Sequence, residues 1–376
     1  MNKYLIILII SSGFLNLFAQ QSDDNHTVQD LIKKGIEQHD AREYKKAVET
    51  YNEALKIDPT SMSATYELAL SYLELRDYEN ASRFSSKVIN SKDKHLLINA
   101  YGVKSESLAE TGKVDEAIIL LENALKELGN NYYLHFNLAL NYFNKGNLDE
   151  TINHVDNALF LDKSQSGAYL LSAYALNDKQ LWVQSILSFQ IFLLMEPDSH
   201  RSKNAFEEML QVMHVTKPTE KPIERSFIQK QMEKHSNKKE SIATQKNTPP
   251  LDTFLGVNRE LVYNTIENTM DSLKTSTNEN SLELDSTNTI LYNSFKEVTR
   301  NIFNVLSEEN DETKKGFIWS FHVPVISKIL HSPYFDTYCR YISVAYFPES
   351  LEWWENNQDA AAKFVRWFEK GDEEEE

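Results

Sequence analysis

The chain has 376 residues, of which 41% are hydrophobic and ten are glycine, with one cysteine and a formal net charge of −17. That length allows two or three domains, and the acidity argues against nucleic-acid phosphates and anionic membrane surfaces as main ligands. A lone cysteine excludes intrachain disulfides and the zinc sites built on paired cysteines, so packing must supply the stability.

The first stretch, MNKYLIILIISSGFLNLFAQQ, joins Lys3 to an apolar run from Tyr4 to Ile10 and a cleavage region at Phe18-Ala19-Gln20. Residues 1–20 read as a secretory signal peptide, cut after Ala19 or Gln20. Ser11, Ser12, Gly13 and Asn16 interrupt an apolar stretch that is already shorter than the roughly 20 residues a spanning helix needs. The ending FAQQ is similar to that of exported bacterial proteins, so a periplasmic or secreted location is expected. No later segment is apolar enough to suggest a transmembrane helix.

Five blocks follow at a spacing of 34 residues, starting at Val28, Met62, Ile98, Tyr132 and Ser166, with one slip of two residues before Ile98. The eighth place holds Gly35, Ala69, Ser105, Ala139 and Ala173, and the twentieth holds Ala47, Ala81, Ala117, Thr151 and Ser185. Ala54, Val88, Ala124, Ala158 and Phe192 fill the twenty-seventh, whereas the seventeenth is large: Tyr44, Tyr78, Val114, Leu148 and Trp182. Small residues at fixed places let two antiparallel helices touch, and large ones fill the neighbouring hole. No single pair buries its apolar face, so neighbours must stack.

After the fifth block, Ala205, Met209, Val212 and Met213 recur at helical spacing within residues 200–215, as expected of a capping helix. From Thr216 to Pro250 the composition turns basic and Pro-punctuated, which reads as a flexible linker with room for a short helix near 223–234. Apolar periodicity returns over 251–370: Leu261, Tyr263, Ile266 and Met270 suit one helix, and Leu291, Phe295, Val298, Ile302 and Leu306 a second. Asn278 to Asn288 is expected to be a loop, two or three further helices to follow Phe317 around Pro333 and Pro348, and residues 371–376 to form a solvated acidic tail. Glycine is scarce and strand-like alternation absent, so the expected class is all-α, with a repeat array over 28–215 and a separate helical module over 251–370.

The stretch EYKKAVETYNEALKIDPT, with Ala47, Tyr51, Ala54 and Pro59, resembles the tetratricopeptide repeat family, as does GKVDEAIILLENALKELG with Gly112, Ala117 and Ala124. The likeness weakens where Thr151 and Phe192 replace small residues, and it covers about 28–199. It implies an α-solenoid with a concave face that binds a protein or peptide, and no chemistry of its own.

By that resemblance the first helix of each pair lines the groove. The inward places hold Lys33, Ile36 and His39; Tyr66, Glu67, Leu70 and Glu74; Asn99, Glu106 and Glu110; Tyr133, Phe136, Asn137 and Phe143; Leu170 and Tyr174. Only Lys33 and Asn137 suit the family's clamp for a C-terminal carboxylate, and they lie three blocks apart. The expected site residues are Lys33, Tyr66, Glu67, Glu74, Glu106, Glu110, Tyr133, Phe136, Asn137 and Tyr174. Aromatic surface with glutamates suits an extended or helical peptide carrying apolar anchors and Lys or Arg.

The C-terminal segment is dense in aromatics and holds His322, His331, Asp336 and Cys339, which invites a Cys–His hydrolase reading. No Gly-rich turn near Cys339 offers an oxyanion hole, and the His and Asp spacing matches no metal motif. No phosphate loop or HExxH occurs, so no cofactor or metal is expected. The sequence points to an exported, non-enzymatic adaptor. The alternative is an envelope enzyme with a catalytic C-terminal helical domain to which the repeats recruit substrate. Convergence or scatter of His322, Asp336 and Cys339 separates the two.

Overall fold

The computed structural model describes residues 27–216, 256–277 and 286–370. The expected signal peptide, most of the basic linker, most of the polar loop and the acidic tail lie outside these residues. The described chain is helical throughout, without a β-strand. Two compact units divide it between Lys145 and Gly146, and not within the basic linker.

In the first unit α1 spans 27–40, followed by α2 Tyr44–Ile57, α3 Met62–Glu74, α4 Tyr78–Ser91, α5 Leu97–Glu110, α6 Val114–Leu128 and α7 Tyr132–Lys145. Each helix starts within one residue of where the 34-residue register places it. The small residues Ala47, Ala54, Ala69, Ala81, Val88, Ser105, Ala117, Ala124 and Ala139 are all 0% exposed, because each sits at a helix crossing. The first helices of successive pairs touch, α3 on α5 and α5 on α7, whereas the second helices α2, α4 and α6 stay further apart. Closer packing on one side bends this unit with α3, α5 and α7 on the inside.

Every turn within a pair uses one left-handed residue at the fifteenth place: Arg42 (φ 61°), Arg76 (φ 59°), Gly112 (φ 80°), Gly146 (φ 78°) and Gln180 (φ 64°). Only glycine occupies that region without steric cost. Arg76→Gly is therefore expected to raise stability by about 0.5 kcal/mol, the relief of strain outweighing the added chain entropy of the unfolded state. Urea unfolding of the full chain measures this, and a lower midpoint would contradict it.

In the second unit come α8 Leu148–Leu161, α9 Ser166–Asp178, α10 Trp182–Met195 and α11 His200–Val212. The same unit contains α12 Arg259–Thr277, α13 Ser286–Glu309, a π-helical turn Ile318–His322, α14 Val323–Leu330, α15 Phe335–Ile342, α16 Pro348–Asn356 and α17 Gln358–Lys370. α9 is buried from Ala168 through Leu176 and α10 from Val183 through Leu194, far more than one helix face. The C-terminal helices cover them. Tyr338 on α15 donates its phenol hydrogen to Gln190 Oε1 of α10, both side chains being buried. Tyr169 packs against Phe321 and His322 of the π-helical turn at 6.1 and 5.9 Å. Arg259 Nη1 donates to the Gln180 carbonyl at 2.6 Å.

The capping helix α11 carries the expected buried stripe of Ala205, Met209, Val212 and Met213, yet it is covered rather than terminal. Its Phe206 lies against Phe295 of α13 at 4.9 Å and Phe347 at 5.6 Å. The stripe of α12 also differs from expectation. Val262 and Ile266 are fully buried, while Leu261 and Tyr263 are 42% and 41% exposed. α13 keeps the expected stripe at Phe295, Val298, Ile302 and Leu306, all at 0% exposure. Its first turn takes in residues 286–288, assigned to a loop from their polarity, because serine and asparagine readily open a helix.

Candidate functional site

The inner helices of the first unit bring Lys33, Tyr66, Glu67, Glu74, Glu106, Glu110, Tyr133, Phe136 and Asn137 onto α1, α3, α5 and α7. Lys33, Glu74 and Glu106 are exposed; Tyr66, Glu67, Glu110, Phe136 and Asn137 are half-buried. Tyr133 is 52% exposed, with Tyr132 edge-on at 5.2 Å, and Phe136 stacks on Tyr132 at 5.7 Å. Asn137 spends one amide hydrogen on the Tyr133 carbonyl at 2.7 Å. Tyr174 does not join them. It belongs to the second unit, where it is 2% exposed and packed edge-on to Phe189 at 5.7 Å. Its place faces inward by register, but the helices around α9 leave it no opening.

The glutamates fall into two kinds. Tyr78 donates its phenol hydrogen to Glu110 Oε2 at 2.9 Å, and burial and then the charge of Glu74 raise the Tyr44 phenol one repeat earlier. The pair of Tyr78 and Glu110 ties the second helix of one repeat to the first helix of the next. Asp115 and Lys145 at 2.7 Å make a similar link further along. Glu110 is thus partly engaged in joining repeats.

Glu67 and Glu106 have no ion-pair partner among the described residues. Burial raises the Glu67 carboxyl above its ordinary range, and the Asp40 charge adds to this. Glu106 is pushed up to about 7, first by the protein that crowds it and then by the charges of Glu110 and Glu74. Water still reaches its tip, so screening reduces what that shift is worth in stability. The neighbouring Tyr66 hydroxyl is pushed up to about 12 by burial and by Glu67. This floor carries negative charge that the protein itself leaves uncompensated.

The sign of the consequence follows from linkage. The fold holds the Glu106 proton more tightly than the unfolded chain does, so stability falls as pH rises from about 4.5 to about 7. Glu106→Gln is expected to raise stability at pH 8 by on the order of 1 kcal/mol and to change little at pH 5. Parallel urea titrations at the two pH values check this. Equal effects at both would mean that Glu106 is ordinarily solvated.

Three residues of this floor escaped the sequence reading: Asp40, Tyr44 and Tyr78. Asp40 holds the inward thirteenth place of the first block, as Glu74 and Glu110 do in theirs, but was not singled out; Tyr44 and Tyr78, at the seventeenth place read only as packing, reach toward the acidic row of the next repeat. Tyrosine at that place followed by Glu at the thirteenth place of the following block was the available signal.

In the second unit, His322, Asp336 and Cys339 do not form a catalytic constellation. Asp336 lies 3.4 Å from Arg300 and 3.6 Å from Lys296, and Cys339 is fully buried with its thiol raised by burial and by the Asp336 charge. His322 is boxed by Tyr169, Phe317 and Phe321, and burial pushes its ring down to about 3. Neither of its nitrogens hydrogen-bonds to Asp336 or Cys339. His331 is exposed, with Nδ1 on the Ser327 carbonyl at 2.8 Å. Among the described residues no helix is long and apolar enough to cross a membrane.

Residues 40–124 match a family model described as anaphase-promoting complex, cyclosome, subunit 3. The TPR repeat-containing protein MJ1428 of Methanocaldococcus jannaschii is 26% identical over 151 residues, 39% of this chain and 26% of that protein. The repeats are of the tetratricopeptide family. The matched stretch spans about a quarter of that relative's length. Two solved structures that the chain is similar to are TTC0263, a thermophilic TPR protein of Thermus thermophilus, and pilF of Pseudomonas aeruginosa. The first is 18% identical, covering 50% of this chain and 99% of that one at a TM-score of 0.43. The second is 16% identical, covering 56% and 90% at a TM-score of 0.44. A tetratricopeptide array is in general a protein-interaction scaffold, and this chain carries one.

Proposed function

We propose that this chain is an exported, non-enzymatic adaptor that binds a peptide or protein segment along the inner helices of its first unit. The observation that carries the reading is the pair of carboxylates Glu67 and Glu106, set between α3 and α5 without a counter-ion and next to aromatic surface. A segment with apolar anchors and Lys or Arg complements both features. Tyr66, Tyr133 and Phe136 provide the apolar contacts, and Glu67 and Glu106 the charge; Lys33 and Asn137 supply polar contacts at the edges. Export is read from the N-terminal stretch MNKYLIILIISSGFLNLFAQQ, with a periplasmic or secreted destination.

Photo-crosslinking in the native cell envelope tests the binding surface. A crosslinking side chain at Tyr133 is expected to trap a discrete partner, whereas the same group at Ile119, 57% exposed on α6, traps none or a different set. Phe136→Ala then weakens the recovered partner about thirtyfold, the effect of losing one anchor in a desolvated interface. Equal trapping at both positions, with affinity unchanged by Phe136→Ala, would move the binding surface elsewhere. N-terminal sequencing of the mature protein tests export: a start at Gln20 or Gln21 supports it, and retention of Met1 contradicts it.

A further inference from the structure

Gly102 lies in the interior of α5, in helical backbone, and is half-buried. Glycine costs stability there, because it loses more chain freedom on folding than alanine and brings no side chain to pack. The fold does not require it. Apart from its chain neighbours and its own helical backbone, a Cβ added at Gly102 would meet a single atom within 4 Å, Asn137 Nδ2 at 3.5 Å, which is ordinary contact. Gly35 is the opposite case, since a methyl there runs into the Tyr51 ring at 2.3 Å. Gly102 holds the fifth place of its block, the place at which α3 carries Tyr66 and α7 carries Phe136. One ring stands on each flanking inner helix, and between them α5 has no side chain at all.

We infer that this gap is a subsite for one large apolar side chain of the bound segment, seated over Gly102 between Tyr66 and Phe136, with a Lys or Arg of the same segment on Glu106. The inference rests on the groove reading above and makes it specific, since it fixes where along the inner helices the anchor sits and what accompanies it. Both walls are held in place. Tyr66 packs against the cluster that contains Leu68, Ala69 and Val103, and Phe136 is stacked on Tyr132 at 5.7 Å. Packed helices stand about 8–10 Å apart, so a side chain that reaches the backbone of α5 has an aromatic wall on either side. Glu106 follows Gly102 by four residues on α5, the same helix face about 6 Å further along, and has no ion-pair partner among the described residues. Two residues of an extended chain advance about 6.5–7 Å and project to the same side. The matching segment is therefore extended, with its apolar and basic residues separated by one other.

The test uses the full chain at pH 8, where Glu106 is largely ionised, and fluorine NMR of the tripeptide acetyl-4-fluorophenylalanyl-seryl-arginine amide. Saturable binding is expected, weakened at least tenfold by Gly102→Leu, which fills the gap; no binding of the tripeptide overturns the subsite. The citrulline twin, isosteric but neutral, is expected to bind the parent more weakly, and that difference is expected to vanish in Glu106→Gln. A difference that survives Glu106→Gln overturns the pairing with Glu106. A second readout needs no ligand. Gly102→Ala is expected to raise the midpoint in urea, whereas a fall would mean that α5 needs the glycine for its own packing and would overturn the subsite. Two outcomes separate the subsite from the groove reading. Tripeptide binding weakened by Phe136→Ala but untouched by Gly102→Leu leaves the groove and removes the subsite. Binding lost in Gly102→Leu, with no partner trapped at Tyr133 in the envelope, keeps the subsite and removes the groove as a protein-binding surface.

Discussion

Phe206→Ala is expected to lower the unfolding free energy by about 3–5 kcal/mol, the usual cost of emptying a closed aromatic site. The ring is 0% exposed, with Phe295, Tyr346 and Phe347 around it at 4.9, 5.2 and 5.6 Å. These neighbours come from α13 and from the turn before α16, so the cavity opens where the C-terminal helices meet the end of the repeats. The loss should therefore reach beyond α11. Hydrogen exchange in α13 is expected to accelerate along with exchange in α10 and α11. Phe160→Ala is the control: that ring lies on α8 at 78% exposure, and its removal should fall within about half a kcal/mol. Urea unfolding of both variants decides the matter. Similar small effects would show that α11 ends the repeats as a free cap and that the C-terminal helices merely lie beside it.

That contact was only half legible in the sequence. The repeat register was fully so, since a small residue every 34 places has one physical use, and Ala47, Ala81 and Ala117 all sit at 0% exposure in helix crossings. What the register does not encode is which faces are covered afterwards. A signal was present in α10, whose WVQSILSFQIFLLM is apolar on every side and so marks a helix enclosed all round rather than one face of an array. Tyr174 was assigned to an open groove by its place alone, and the same enclosure buries it. The pairing of Tyr338 with Gln190 was invisible, because two polar groups 148 residues apart find each other only through tertiary structure. On the inner face, Glu67 and Glu106 could be placed from register. Their lack of counter-ions could not, because the five blocks carry lysines enough to have supplied them.

Gly35→Ala is expected to destabilise the chain by about 3 kcal/mol, against the direction that helix propensity predicts. Alanine inside a helix is ordinarily about 1 kcal/mol better than glycine, and α1 contains Gly35 well within its span. The new methyl, however, would lie 2.3, 2.7 and 2.8 Å from Cε1, Cζ and Cδ1 of Tyr51. That ring cannot swing aside, because it is 0% exposed and held among Ala47, Leu68 and Ala69. Either α1 moves away from α2 or the ring leaves its well. The repeat pattern supplies the compensating change. The eighth and twenty-fourth places pair Gly35 with Tyr51 in the first block, but Ser105 with Leu121 in the third and Ala173 with Phe189 in the fifth. Gly35→Ala combined with Tyr51→Leu should therefore regain part of the loss, and a double-mutant cycle by urea unfolding should show coupling of at least about 1 kcal/mol. Additive effects, or a single Gly35→Ala variant more stable than the parent, would mean that these two places are not in contact and that the first block is stacked in another register.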